Sequence, residues 1–169
     1  NHTAVWTGTE MIVWGGTLLD SNGLRYNPST ATWLAMTSTN APETLWFSGY
    51  TVVWTGTEMI VWGGYDGSSF FATGGRYDPS TDRWATTSTG ANVPEARANH
   101  TGVWTGSEMI VWGGWGFDPD RGFVVFDTGG RYNPSTDTWT PTSIGTNAAA
   151  EGRSGPTAVR RDAGTGIRI

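Results

Sequence analysis

One phrase is written three times in this chain. Residues 6–16 read WTGTEMIVWGG, residues 54–64 repeat those letters, and residues 104–114 repeat them with Ser107 in place of a Thr. A second phrase follows each copy: RYNPSTATW at 25–33, RYDPSTDRW at 76–84 and RYNPSTDTW at 131–139. The corresponding Trp6, Trp54 and Trp104 are spaced by 48 and 50 residues. Such a period signals units that bury their apolar surface by stacking on one another, so any fold must give three near-copies equivalent surroundings.

Each unit has the same internal grammar. TAVW, TVVW and TGVW are short β-prone runs. Thr-Gly-Thr/Ser-Glu follows, with Gly8, Gly56 and Gly106 suited to the first central position of a type II′ hairpin turn. EMIVWGG is the return strand, stopped by a glycine pair. In MIVW both alternate sets are apolar, Met11 and Val13 on one face and Ile12 and Trp14 on the other, so the strand is expected to be buried on both faces. A third strand ends in Arg-Tyr. Asn-Pro or Asp-Pro then opens a type I turn, and a fourth strand begins at Trp33, Trp84 or Trp139. No segment carries sustained helical periodicity.

A hydrophobic strand, a Gly pair, then a Tyr and a later Trp together resemble the Kelch repeat. The matching residues are Gly15, Gly16, Tyr26 and Trp33; Gly63, Gly64, Tyr77 and Trp84; and Gly113, Gly114, Tyr132 and Trp139. The resemblance implies an all-β fold, a Kelch-type β-propeller with three four-stranded antiparallel blades packed radially. The repeats run approximately over 1–48, 49–98 and 99–154, and 155–169 reads as the start of a further blade. Propellers close with roughly four to eight blades. Further repeats outside these residues are the expectation, because both ends of the chain read as cut; the alternative is two chains combining into one ring.

Composition narrows the function classes. Formal net charge is −5, the ten cations are all Arg, and only Arg160 and Arg161 adjoin, so no basic stripe for nucleic acid is present. Cys is absent, which removes disulfides, thiolate metal sites and a Cys nucleophile. No apolar run reaches the roughly 18 residues of a membrane helix. Asn1 opens the chain without an initiator Met or a signal-peptide pattern, so processing or truncation is expected to have removed what came before. The all-Arg cations, the Trp- and Gly-rich composition and the likeness to repeat-rich bacterial Kelch proteins lean towards a bacterial exported or surface protein.

The repeats differ most between the Gly pair and the Arg-Tyr: eight residues in the first copy, eleven in the second and sixteen in the third. These loops and the connections between blades are expected on one propeller face, where binding residues concentrate. The candidate surface is Trp46, Phe47, Tyr65, Asp66, Phe70, Phe71, Trp115, Phe117, Asp118, Arg121 and Phe123, with Glu95 and Arg97 beside it. Aromatic rings with interspersed Asp, Glu and Arg suit a protein partner; they also suit a glycan stacked on a ring. The plainer reading has Phe70, Phe71 and Phe123–Phe126 extending strands and filling gaps.

His2 and His100 stand where the second copy has Tyr50, which fits packing rather than a catalytic base. Glu10, Glu58 and Glu108 at the hairpin turns are expected to pair with an Arg or to be solvated; a ring of carboxylates is the alternative. DPSTD at 78–82 and DPDRG at 118–122 lack the full calcium-loop pattern, so no metal or other cofactor is expected. No catalytic constellation emerges. Galactose-oxidase-like enzymes share the repeat, but the likeness brings a Cys–Tyr cofactor and copper-binding His residues that this chain lacks. The leading expectation is a non-enzymatic module presenting its variable loops to a protein or glycan. A structural repeat array and part of a glycan-processing propeller are the alternatives.

Overall fold

A computed structural model describes residues 2–16, 23–42 and 48–142, and among them there are strands and no helices. Trp46 and Phe47 of the candidate surface lie outside the described residues. Three four-stranded antiparallel meanders dominate. Blade one contains β1 (His2–Trp6), β2 (Met11–Gly15), β3 (Leu24–Asn27) and β4 (Thr32–Ala35). Blade two contains β5 (Thr51–Trp54), β6 (Met59–Trp62), β7 (Gly74–Asp78) and β8 (Arg83–Thr86). Blade three contains β9 (Thr101–Trp104), β10 (Met109–Trp112), β13 (Gly129–Asn133) and β14 (Thr138–Pro141). The fourth strand starts one residue before its Trp in every blade. Between β10 and β13 the chain adds a separate hairpin, β11 (Trp115–Asp118) and β12 (Gly122–Val125).

The turns follow from their residues. Gly8, Gly56 and Gly106 have φ of +105°, +105° and +107°, the positive value that a II′-like first central position requires. The Thr before each Gly completes the turn: Thr7 N–H donates to the Glu10 carbonyl at 3.0 Å, and Thr7 Oγ1 takes the Glu10 N–H at 3.0 Å. Thr55 and Thr105 repeat both bonds. At the other hairpin, Asn27, Asp78 and Asn133 each accept the N–H two residues on, at 2.8–2.9 Å, the Asx device that makes Asn and Asp turn residues.

The core lies between blades. Met59, Val61, Tyr77 and Trp84 of blade two cover Ile12 and Trp14 of blade one. Met109, Val111, Tyr132 and Trp139 of blade three cover Ile60 and Trp62 of blade two in the same way. Strand β6 is therefore buried along its whole length, whereas in β2 and β10 burial alternates. Burial on both faces, expected of every MIVW strand, holds in the middle blade because only that blade has a described neighbour on each side. The uncovered side of blade one leaves Trp6 at 55% and Trp33 at 51% exposure, against 4% for Trp84 and 3% for Trp139.

Two further contacts join blades. Trp84 and Trp139 donate their indole N–H to the Thr37 and Ser88 carbonyls, both at 3.1 Å. Asp82 accepts the Tyr77 hydroxyl at 2.7 Å and the Thr37 N–H at 3.1 Å; Asp137 likewise accepts from Tyr132 and Ser88. The Tyr77 hydroxyl bond, foremost, holds the Asp82 carboxyl below its ordinary value.

Candidate interaction surface

Connector two, between blades two and three, organises the variable loops. Gly64 N–H donates to the Arg97 carbonyl at 2.9 Å and Arg97 N–H to the Phe71 carbonyl at 3.2 Å. Ala98 and Trp115 exchange N–H···O bonds at 2.8 and 2.9 Å. The blade-two loop and the β11–β12 hairpin are thereby stitched side by side.

Their rings form a continuous shelf. Tyr65 stacks on Phe70 at 4.6 Å between centroids, and Phe70 meets Trp115 edge-on at 5.0 Å. Trp115 lies 6.3 Å from Phe123, which meets Phe117 edge-on at 5.8 Å. In the β11–β12 register Phe117 faces Phe123 and Trp115 faces Val125, so all four sit on one face of the hairpin. Phe117 is 57% and Phe123 is 70% exposed. Stacked and edge-on contacts at these separations hold the rings in place relative to one another.

Polar turns fix the ends of the shelf. Asp66 accepts from Ser68 N–H, Ser68 hydroxyl and Ser69 N–H at 2.6–2.9 Å, which lowers its pKa, and the Tyr65 hydroxyl donates to the Gly67 carbonyl at 2.6 Å. Asp118 accepts from the N–H groups of Asp120 and Arg121 at 2.9 Å and pairs with the Arg121 guanidinium at 3.0 Å. That pairing, foremost, lowers the Asp118 pKa. Glu95 and Asp127 lie within electrostatic reach of Arg121 as well.

Arg97 departs from expectation. Placed with the exposed candidates from sequence, it is fully buried beneath the shelf. Its guanidinium donates to the carbonyls of Gly113 at 3.0 Å, Thr128 at 2.7 Å and Glu95 at 2.9 Å, and pairs with the Glu95 carboxylate at 2.8 Å. The Phe126 ring lies 4.1 Å from its Cζ, a cation–π contact. Burial pulls its pKa down to about 10, so it remains charged at neutral pH. It pins connector two to both ends of the β11–β13 insertion and is unavailable to a partner. Phe71 is half-buried in the same stitching.

His100 is likewise structural. It is buried, with its ring edge-on to Trp62 at 5.3 Å. Neither ring nitrogen makes a well-formed hydrogen bond, although the backbone of Trp62 and Arg97 approaches it. The opposite propeller face carries the expected Glu–Arg pairs, Glu10–Arg25 at 2.9 Å, Glu58–Arg76 at 3.9 Å and Glu108–Arg131 at 3.5 Å. A groove of about 620 Å3 between blades one and two there is lined by Glu10, Arg25, Trp54 and Glu58. Among the described residues no three His, Asp or Glu side chains gather as metal ligands do.

A family model described as the KLHDC2/KLHL20/DRC7 Kelch-repeats domain matches residues 1–165. No curated protein gives a significant match. The chain belongs to the Kelch-repeat family, whose repeat domains generally mediate protein–protein interaction.

Proposed function

We propose that this Kelch-repeat chain is a non-enzymatic interaction module whose aromatic shelf grips a basic, apolar-flanked segment of a protein partner. The supporting observation is the run Tyr65, Phe70, Trp115, Phe123 and Phe117, a connected set of rings exposed at its outer end. Soluble folds seldom leave so much clustered aromatic surface without a use, and aromatic anchors dominate protein interfaces. Carboxylates border it: Glu95 is paired with buried Arg97 and Asp118 with Arg121, which leaves Asp66, Asp120 and Asp127 without a paired cation among the described residues. Ring faces beside unbalanced carboxylates favour an Arg or Lys side chain, through cation–π contact and ion pairing together. Buried Arg97 makes the platform rigid, which lowers the entropic cost of binding.

The test is selection from a random-peptide display library on the whole chain, with counter-selection on a Phe117→Ala/Phe123→Ala variant. Both rings are exposed, so the variant keeps its fold. Enriched peptides should carry Arg or Lys beside an apolar residue and lose about tenfold or more in affinity on the variant, about 1.4 kcal/mol. Peptides that bind both proteins equally would refute the shelf. Binding of neutral oligosaccharides that depends on the shelf, with no peptide enriched, would make the partner a glycan.

A further inference from the structure

The shelf ends in an open strand edge. Trp115 uses its backbone N–H and C=O on Ala98, so in the antiparallel β11–β12 register it makes no backbone bond to Val125 opposite. Phe126 N–H donates to the Gly114 carbonyl at 2.8 Å. Bonded pairs therefore recur at every second residue, Gly116 with Val124 and Asp118 with Gly122. Phe123 and Val125 fall between them. Their N–H and C=O groups point away from β11, along the outer edge of a two-stranded sheet. Among the described residues no backbone group pairs with that edge.

The edge is also unguarded. Proteins blunt an edge strand with a charge, a proline or a bulge, and Gly122–Val125 carries none of these. Its side chains beyond the glycine are one aromatic and two β-branched residues, the types that pair well across strands. The two residues with free backbone groups, Phe123 and Val125, also turn exposed side chains to the ring face of the shelf. A strand laid beside β12 would meet backbone and rings together. In an antiparallel pair directly opposite residues share a face, so the residues bonded to Phe123 and Val125 would stand beside the rings. Carboxylates mark both ends of the strand, Asp120 in the turn before it and Asp127 two residues past it, both exposed.

We propose that β12 captures the partner by strand addition: an extended segment with Arg or Lys at alternate positions pairs antiparallel with Phe123 and Val125. This rests on the shelf being the binding surface and adds how the segment is held. The cations take the ring face, where Phe117, Phe123 and the carboxylates at the strand ends receive them. The apolar residues between them take the opposite face, beside Val124. Main-chain hydrogen bonds to β12 supply affinity, and the alternation of side chains supplies selectivity.

The probe is the peptide acetyl-Val-Arg-Val-Arg-Val-Arg amide, titrated into the whole chain by calorimetry beside its block isomer, acetyl-Val-Val-Val-Arg-Arg-Arg amide. The alternating peptide should bind about tenfold more tightly than the isomer, although composition and charge are the same. N-methylation of the Arg amides removes the N–H groups that face β12 and should weaken binding by about tenfold or more. N-methylation of the Val amides, whose N–H groups face solvent, should change it by less than about threefold. In the chain, Val125→Pro deletes an outward N–H that no ladder bond uses. It should weaken binding at least about threefold more than Val125→Ala, which trims the same side chain and keeps the N–H. Absence of binding by the alternating peptide, equal binding of the two isomers, or equal effects of the two methylations would overturn strand addition. The ring variant separates that result from failure of the shelf. Loss of the peptide on Phe117→Ala/Phe123→Ala with equal methylation effects leaves the shelf standing without strand addition, whereas display-selected peptides that ignore the ring variant remove both.

Discussion

Trp84 rests on Trp14 of the neighbouring blade with 4.5 Å between ring centroids, and its indole N–H reaches past it to the Thr37 carbonyl. One side chain thereby supplies both the apolar seal and a directed polar contact between blades. Trp139 repeats the arrangement on Trp62 and Ser88. This explains why the Trp closing each repeat recurs although the residues around it drift between Ala, Arg, Leu and Thr.

Replacing Trp84 with Ala removes the ring, its stacking and the bond to Thr37 together. The expected loss is about 3–5 kcal/mol, the range for deleting a buried Trp. Urea unfolding followed by far-UV circular dichroism reads it. A loss below about 1 kcal/mol would mean that the blades do not depend on this contact.

Asp82 and Ala31 occupy equivalent left-handed positions, with φ of +51° and +54°. Asp tolerates that region, and here it also holds Tyr77 and the Thr37 N–H; Ala does neither. Asp82→Ala should cost about 2–3 kcal/mol, from two hydrogen bonds and backbone strain. Ala31→Asn should raise stability by about 0.5–1 kcal/mol, because Asn is at home in the left-handed region. Opposite signs for the two variants in one urea series are the expected outcome.

Much of this was legible in the sequence and some was not. The blades and the strand order followed from local grammar: alternation, Gly and Pro punctuation, and repetition. The β11–β12 hairpin was hidden inside a segment read as a variable loop, although Trp115, Phe117, Phe123 and Val125 alternate as strand residues do. Arg97 was harder. Its cage is built by carbonyls of Gly113 and Thr128, and nothing local to PEARANH shows that those groups converge on it. The only nearby sign is the small Ala96 and Ala98, which leave room for the chain to pass close beneath the loops.

Acid should weaken the fold through His100. Burial, and next the Arg97 charge, push its pKa down to about 3, whereas in the unfolded chain it titrates near about 6.5. Between those values the unfolded state binds a proton that the folded state refuses. Stability then falls as pH drops, by about 1.4 kcal/mol per unit, and above about pH 7 this group contributes no slope. His100→Leu, similar in size and without an unpaired nitrogen, should flatten the dependence between about pH 6.5 and 4.5. An unchanged slope in the variant would assign the acid sensitivity to other groups.

Gly75→Leu copies into blade two the residue that blade one carries at Leu24. The backbone there adopts ordinary strand geometry, so the substitution acts through space alone: the Cβ position is 2.7 Å from Pro42 Cγ and 2.9 Å from the Trp84 ring. Either Pro42 leaves its seat or Trp84 shifts off Trp14, and both open the core between blades one and two. Overpacking of this kind costs about 1–3 kcal/mol. Replacing Pro42 with Ala at the same time removes half of the collision and should recover part of the loss, a coupling that a double-mutant cycle measures directly. Recovery would show that glycine and proline act as a matched pair at blade junctions. Additive losses would mean that the two positions act independently.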